Sequence, residues 1–262
     1  NPNGQIDGEP YIVYAAKNVD FSMCKLLHKF NANMSVGDAY NNGMYWAIKS
    51  GLYHSFKFFF AQYSTNEITS DDKAAAFLQA AVQSNNADIF TELLDAGINP
   101  DIQGKFGKAA VHYIIQMTDD IIRRIFLERL IIKNANLNVQ DDDGNTALHY
   151  AARNNFSFGI KLLLQHGASF KILNKDKMTP LMLAQENTAE SAVRLLLQKQ
   201  ATPAQFEYLV LAGTDQLNPS KSLLESAIRN DLAAVDAILQ LGILTDSCDK
   251  QNRTALHWAV LH

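Results

Sequence analysis

The stretch Asp141-Asp142-Asp143-Gly144-Asn145-Thr146-Ala147-Leu148-His149-Tyr150-Ala151-Ala152 returns in outline at Asn174 to Gln185 and again at Asp249 to Val260. The apolar run Leu162-Leu163-Leu164 likewise returns as Leu195-Leu196-Leu197, 33 positions on. Self-similarity at such a period means one small unit used many times, each burying its apolar side against its neighbours. With Leu148 as register mark, the anchors fall at Ile12, Met44, Leu78, Val111, Leu148, Leu181, Leu223 and Leu256. The steps are 32, 34, 33, 37, 33, 42 and 33, so five keep the period and two carry insertions.

Within a repeat the pattern is helical. Ile160, Leu163 and Leu164 recur at three- and four-residue spacing while Lys161 and Gln165 face outward. The 262 residues are 47% hydrophobic and 19% charged, which suits a folded chain and excludes a disordered one. Lys and Arg total 23 against 27 for Asp and Glu, a net charge of -4, which argues against nucleic acid as partner. The longest apolar stretches, such as Ile125 to Ile132, are broken by charge and too short to span a bilayer. Two cysteines make no disulfide framework, so a reducing, cytoplasmic compartment is expected. The chain starts at Asn1 without a secretory signal, and its last repeat stops at His262 inside a first helix. Both features create the expectation of a longer polypeptide.

This motif and spacing resemble the ankyrin repeat, a β-turn followed by two antiparallel helices with a T-P-L-H-x-A signature. The resemblance covers essentially the whole chain, strongest from Gly97 to Leu197 and after Leu239, and weakest before about residue 70. It implies an all-α solenoid of helix–turn–helix units with short β-turn fingers, seven units plus a partial eighth. Residues 1-201 hold repeats one to six, the first two degenerate; 202-218 form an irregular insertion; 219-262 hold repeat seven and the partial eighth. The resemblance further implies that Thr146 with His149, and Thr254 with His257, tie each repeat to the next. Ala109 stands in the Thr place before His112, and Met182 in the His place after Thr179, so those two networks are expected to be incomplete. Gly97, Gly167 and Gly242 suit left-handed C-caps, and Asn31 and Asn134 are the next best choice. Gln200 and Tyr63 are not, and those turns should deviate.

Two breaks interrupt the pattern. Four extra residues near Met117-Thr118-Asp119-Asp120 predict a longer loop between helices, with Asp119 or Asp120 capping a helix over Ile121 to Ile132. Nine more precede Leu223, where Thr202-Pro203 starts a predicted extra helix.

No constellation of side chains announces chemistry. Cys24 and His28 stand four apart on a predicted second helix, yet Met23 to Leu27 reads as core, which makes Cys24 a buried structural thiol. Cys248 falls in a finger. His149 and His257 belong to the repeat itself, and no histidines share the short spacing of a zinc site. Asp141-Asp142-Asp143 lacks the spaced ligands and the final Glu of a calcium loop and reads as a solvated finger. Phe58-Phe59-Phe60 reads as core of a second helix. There is no phosphate-binding glycine loop and no nucleophile elbow, so neither a metal nor a cofactor is expected, and the chain reads as a non-enzyme.

The family resemblance implies that partner proteins bind a concave surface of finger tips and first helices, where repeat curvature builds an extended face. The matching positions in repeat four are Lys105, Phe106, Lys108, Gln116 and Met117. Repeat five gives Asp142, Asp143, Asn145, Arg153 and Asn154. Lys175, Asp176, Met178, Glu186 and Asn187 come from repeat six, and Lys250, Gln251 and Arg253 from the last. Phe106 and Met178 are apolar at wet places, as binding residues often are. The expectation is a monomeric, non-catalytic scaffold for a protein or peptide ligand. The alternative is the regulatory or targeting portion of a larger enzyme, or of a bacterial effector delivered to the host cytosol.

Overall fold

The computed structural model describes residues 1–200, 219–229, 231–241 and positions 254, 255 and 257. The chain divides into two compact parts, residues 1–142 and 143–262. Each is a stack of helix–turn–helix repeats.

In the first part, helices α1 (Tyr11–Lys17) and α2 (Phe21–Lys29) form repeat one, α3 (Gly43–Lys49) and α4 (Tyr53–Phe60) repeat two. Repeat three holds α5 (Thr65–Thr69), α6 (Asp71–Gln83) and α7 (Ala87–Asp95); repeat four holds α8 (Ala110–Ile115) and α9 (Asp120–Ile132). First helices stack on first helices, α1 on α3, α3 on α6 and α6 on α8. The second part carries α10 (Ala147–Arg153), α11 (Ser157–Gln165), α12 (Pro180–Glu186) and α13 (Glu190–Gln200), then helices Pro219–Ile228 and Leu232–Leu239. Every described anchor, from Ile12 to Leu223, is no more than 2% exposed, so the register read from the sequence is the register of the fold.

The first two fingers are true antiparallel hairpins, β1 (Gln5–Ile6) with β2 (Glu9–Pro10) and β3 (Gly37–Asp38) with β4 (Asn41–Asn42). Later fingers join through single backbone bonds: the Asp142 N–H reaches the Phe106 carbonyl at 3.0 Å, and the Lys175 N–H reaches the Asp143 carbonyl at 2.9 Å. Glycine follows each accepting residue for a steric reason. A Cβ on Gly107 would lie 2.7 Å from the Asp142 nitrogen and one on Gly144 2.9 Å from the Lys175 nitrogen, at φ of 63° and 77°.

The histidine network is present. The Thr146 N–H and hydroxyl meet His149 Nδ1 at 3.1 and 2.8 Å, and Nε2 lies 3.1 Å from the Met178 carbonyl. A carbonyl can only accept, so Nε2 carries the proton and Nδ1 takes both threonine donors. The Thr146 hydroxyl therefore donates to the ring. Thr254 and His257 repeat the contact at 3.1 and 2.9 Å. At His112 only the hydroxyl is missing: Nδ1 accepts the Ala109 N–H at 3.0 Å and Nε2 reaches the Val139 carbonyl at 3.1 Å. Thr179 caps the Met182 N–H at 3.2 Å, with no ring to bridge onward. Gly97, Gly167, Asn31 and Asn134 all hold the expected positive φ.

Four expectations need correction or completion. The insertion in repeat four does not make a long loop. Asp119 accepts the Ile121 and Ile122 N–H groups at 2.9 and 3.0 Å, and the extra residues lengthen α9 to 13 residues against 9 in α11. Asp141 is not solvated but 6% exposed. It holds the register place of Asn174, whose Oδ1 accepts the Met178 N–H at 2.9 Å and closes the finger from inside. Tyr63 does deviate: it is buried, its hydroxyl 3.2 Å from Asn42 Oδ1, and α5 follows in place of a hairpin finger. Ser64 and Glu67 cap α5 reciprocally, and the Ser64 N–H holds the Glu67 carboxyl below its ordinary range. The predicted helix in 202-218, Gly242, Cys248 and the sites Lys250, Gln251 and Arg253 lie outside the described residues.

Candidate partner-binding surface

A first helix exposes one side beyond its stacked neighbours, at positions two, five and six after the anchor. Three and four residues apart on a 3.6-residue turn, these share that side. In α10 and the residue after it they are Tyr150, Arg153 and Asn154; in α12 and its cap they are Leu183, Glu186 and Asn187. Between them lies a groove of about 370 Å³. Five residues singled out from the sequence line it: Asn145, Arg153, Asp176, Glu186 and Asn187. Tyr150, Leu183, Asn174 and His149 complete the lining and were not foreseen. The signal for Tyr150 and Leu183 was available, since each stands three residues before a chosen helix-end position.

The groove is polar and its charges are uncommitted. Arg153, Asp176 and Glu186 are exposed and make no ion pair among the described residues. Its frame is fixed: Asn174 Nδ2 donates to Asn145 Oδ1 at 3.0 Å, and Asn187 Nδ2 to the Leu183 carbonyl at 2.9 Å. The arrangement offers amide donors and acceptors, one cation and two carboxylates to an extended ligand.

Asn154, Asp143 and Lys175 are exposed but do not line this groove, and Met178 is half-buried with its carbonyl engaged by His149. In the first part, Lys105, Phe106, Gln116 and Asp142 are exposed and Lys108 and Met117 half-buried. Lys105 places its ammonium 3.9 Å from the centre of the Tyr40 ring, and together they border a second groove of about 990 Å³ that also holds Asp38, Asp71, Asp72 and Lys73. Burial raises the Tyr40 and Tyr113 phenols above their ordinary range, so both stay neutral. An apolar cavity of about 630 Å³, with Tyr14, Met23, Leu26 and Phe30, opens on repeat one.

Cys24 is the buried thiol that its helix pattern implies. The thiol is 1% exposed and burial pushes its pKa up to about 12, leaving almost no thiolate at neutral pH. His28 packs edge-on against Phe58 at 5.5 Å. Among the described residues no His, Cys, Asp or Glu group could hold a metal ion, and no helix is long and apolar enough to cross a membrane.

The family profile described as ankyrin repeats in three copies matches residues 77–168 and 123–207, half of the chain. The chain belongs to the ankyrin-repeat family. It is 29% identical over 196 residues to the human transient receptor potential cation channel subfamily A member 1, covering 74% of this chain and 17% of that protein. It is 26% identical over 211 residues to the putative ankyrin repeat protein L371 of Acanthamoeba polyphaga mimivirus, with 77% and 27% covered. Canine (Canis lupus familiaris) inversin is 27% identical over 184 residues, with 70% and 16% covered. The chain thus spans about a quarter or less of these curated relatives. A solved chain from the Bd0816 predatory endopeptidase of Bdellovibrio bacteriovorus in complex with immunity protein Bd3460 shares the fold, with TM-score 0.60, 23% identity, and 72% of this chain and 97% of that one covered. Ankyrin repeats are generally protein–protein interaction modules.

Proposed function

We propose that this chain is a non-catalytic recognition module that holds an extended segment of a protein partner against its first helices and fingers. The observation that carries this reading is the convergence of Asn145, Arg153, Asp176, Glu186 and Asn187 on one groove whose charges make no ion pair among the described residues. Charges left uncommitted on a fixed frame favour orientation and selectivity of a ligand over bulk affinity. The exposed finger residues of each part take the same role, and Lys250, Gln251 and Arg253, outside the described residues, take it on their sequence position alone.

The test is a peptide selected by display against the full chain. Binding should weaken at least about tenfold on Arg153→Glu with Glu186→Lys, with helical circular dichroism unchanged. Binding that survives this double reversal removes the groove from the account.

A second reading, that these repeats are the targeting portion of a larger protein, is favoured by the small share of each relative that the chain spans. A reducing compartment fits it as well, the host cytosol if the protein is a delivered effector. The open reading frame around this segment tests it: a stop codon directly after His262 together with a start directly before Asn1 would sink it.

A further inference from the structure

The second helices of the first part reach back, each to the repeat before it, from one shared place. It lies fourteen residues after the anchor, or eighteen in repeat four with its four extra residues. Phe58 packs edge-on against Phe21 and His28, with ring centres 5.3 and 5.5 Å apart. Glu92 accepts the Tyr53 hydroxyl at 2.9 Å and pairs with Lys57, and Arg129 lies 4.0 Å from Asp88. One turn earlier on the same face stand Ser55, Ile89 and Phe126, all buried.

In repeat one the corresponding residues are Met23 and Leu26, 42% and 48% exposed, and Phe30, one turn on, is 61% exposed. Spaced three and four residues apart, they form one apolar stripe along α2. With Tyr14 and Ile6 they border the apolar cavity of about 630 Å³. Asp20 is the only residue lining it with a charged side chain, and its carboxylate already accepts the Met23 N–H at 2.9 Å. A repeat that closes a stack carries a polar outer face. Repeat one carries the face of an interior repeat.

We infer that this face is a stacking surface, covered by a further helix–turn–helix unit encoded upstream of Asn1. This rests on the reading of these repeats as part of a larger protein and adds what adjoins them. The interfaces within the first part fix the chemistry of the covering unit. Phe21 and Tyr53, each the first residue of its second helix, are what Phe58 and Glu92 meet. The upstream unit therefore sets the start of its own second helix against Leu26. Because Leu26 is aliphatic and the cavity offers no uncommitted side-chain charge, the residue there is apolar; a polar one would lose its water without gaining a partner. At the usual step of 32 to 34 residues it lies about 33 positions before Phe21.

The experiment translates the reading frame upstream of Asn1 and compares the polypeptide it encodes with residues 1–262 by hydroxyl-radical footprinting. The upstream stretch should repeat the anchor pattern with an apolar residue at the place named. Met23 and Phe30 should be oxidised at least about fivefold more slowly in the longer chain. Leu26→Lys with Phe30→Lys should move the melting temperature of residues 1–262 by less than about 2 °C, because both side chains already meet solvent, yet restore fast oxidation of Met23 in the longer chain. Equal oxidation of Met23 and Phe30 in both chains, or protection with no repeat upstream, overturns the inference. Protection in residues 1–262 alone that grows with concentration overturns it too, since a second copy is then the occupant. A start codon directly before Asn1 overturns it alone; joined to a stop codon directly after His262, it removes the larger-protein reading as well.

Discussion

Repeats four and five solve the same folding problem with different residues. Both bury their anchor, Val111 at 2% and Leu148 at 0%, and both send a histidine Nε2 to the next finger's carbonyl at 3.1 Å. Repeat five keeps the threonine hydroxyl on its ring, a finger with one left-handed glycine, and a nine-residue second helix. Repeat four has Ala109 in place of the hydroxyl, two left-handed residues in its finger, and a 13-residue second helix that leaves Ile121 and Ile132 each 74% exposed. The shared features sit where neighbours press against each other; of the differing ones, the finger tip and the ends of the second helix face water, while the exchange of Thr146 for Ala109 is buried. Stacking constrains the buried register and leaves fingers and outer helix faces open to other uses.

The largest expected effect tests the shared half of this comparison. His149→Ala removes the buried acceptor of two Thr146 donors and the donor to the Met178 carbonyl, and should cost about 2–4 kcal/mol in urea titration. His112→Ala removes one contact fewer and should cost less. Equal losses would show that the hydroxyl contributes nothing. Ala109→Thr should repair the difference and stabilise repeat four by about 0.5–1 kcal/mol.

Next come the glycines. Gly144→Ala and Gly107→Ala each put a Cβ within 3 Å of a backbone nitrogen at positive φ, and about 1–3 kcal/mol should be lost in each case. A neutral outcome at either would mean that the finger-to-finger bond does not constrain its neighbour. The smallest effect belongs to the differing half: Ile121→Lys and Ile132→Lys should stay within about 0.5 kcal/mol of the parent by urea titration, because both side chains already meet solvent.

Cys24 offers a reporter for the first part alone. Its folded thiol is raised from 9.0 to about 12, so folding favours the protonated form. The stability it contributes is complete below about pH 9 and is lost as the pH climbs from there through about 12. In a Cys248→Ser chain, a thiol reagent at pH 8 should react only as residues 1–142 open, and fast labelling of the native chain would contradict the burial of Cys24.

Much of this was legible in the sequence because stacking reuses one register. The anchors, the histidine bridges and the Asn C-caps at Asn31 and Asn134 follow from residue type at fixed places. What escaped had local causes. The repeat spacing places the insertion but does not tell a loop from a longer helix: Asp119 caps, and the Ile- and Arg-rich run that follows continues the helix as readily as it would follow a longer loop. In the sequence Asp141 is one of three like charges, and only its place in the finger turn draws it inward. The helix at Thr65–Thr69 was announced by Ser64-Thr65-Asn66-Glu67, a capping-box pattern in a place where a finger was expected. Of the site, the helix-end and finger positions were chosen from the family resemblance, while Tyr150 and Leu183 needed the side-by-side packing of α10 and α12 to be seen.

We propose that recognition occurs on the first helices of repeats five and six. Carboxyl footprinting by mass spectrometry, with and without a display-selected peptide, addresses it most directly. Asp176 and Glu186 should be labelled at least about fivefold more slowly in the complex, as expected for rim groups shielded by a ligand, while Glu128 and Glu190 keep their rates. Unchanged labelling of Asp176 and Glu186 with the peptide bound would contradict the account.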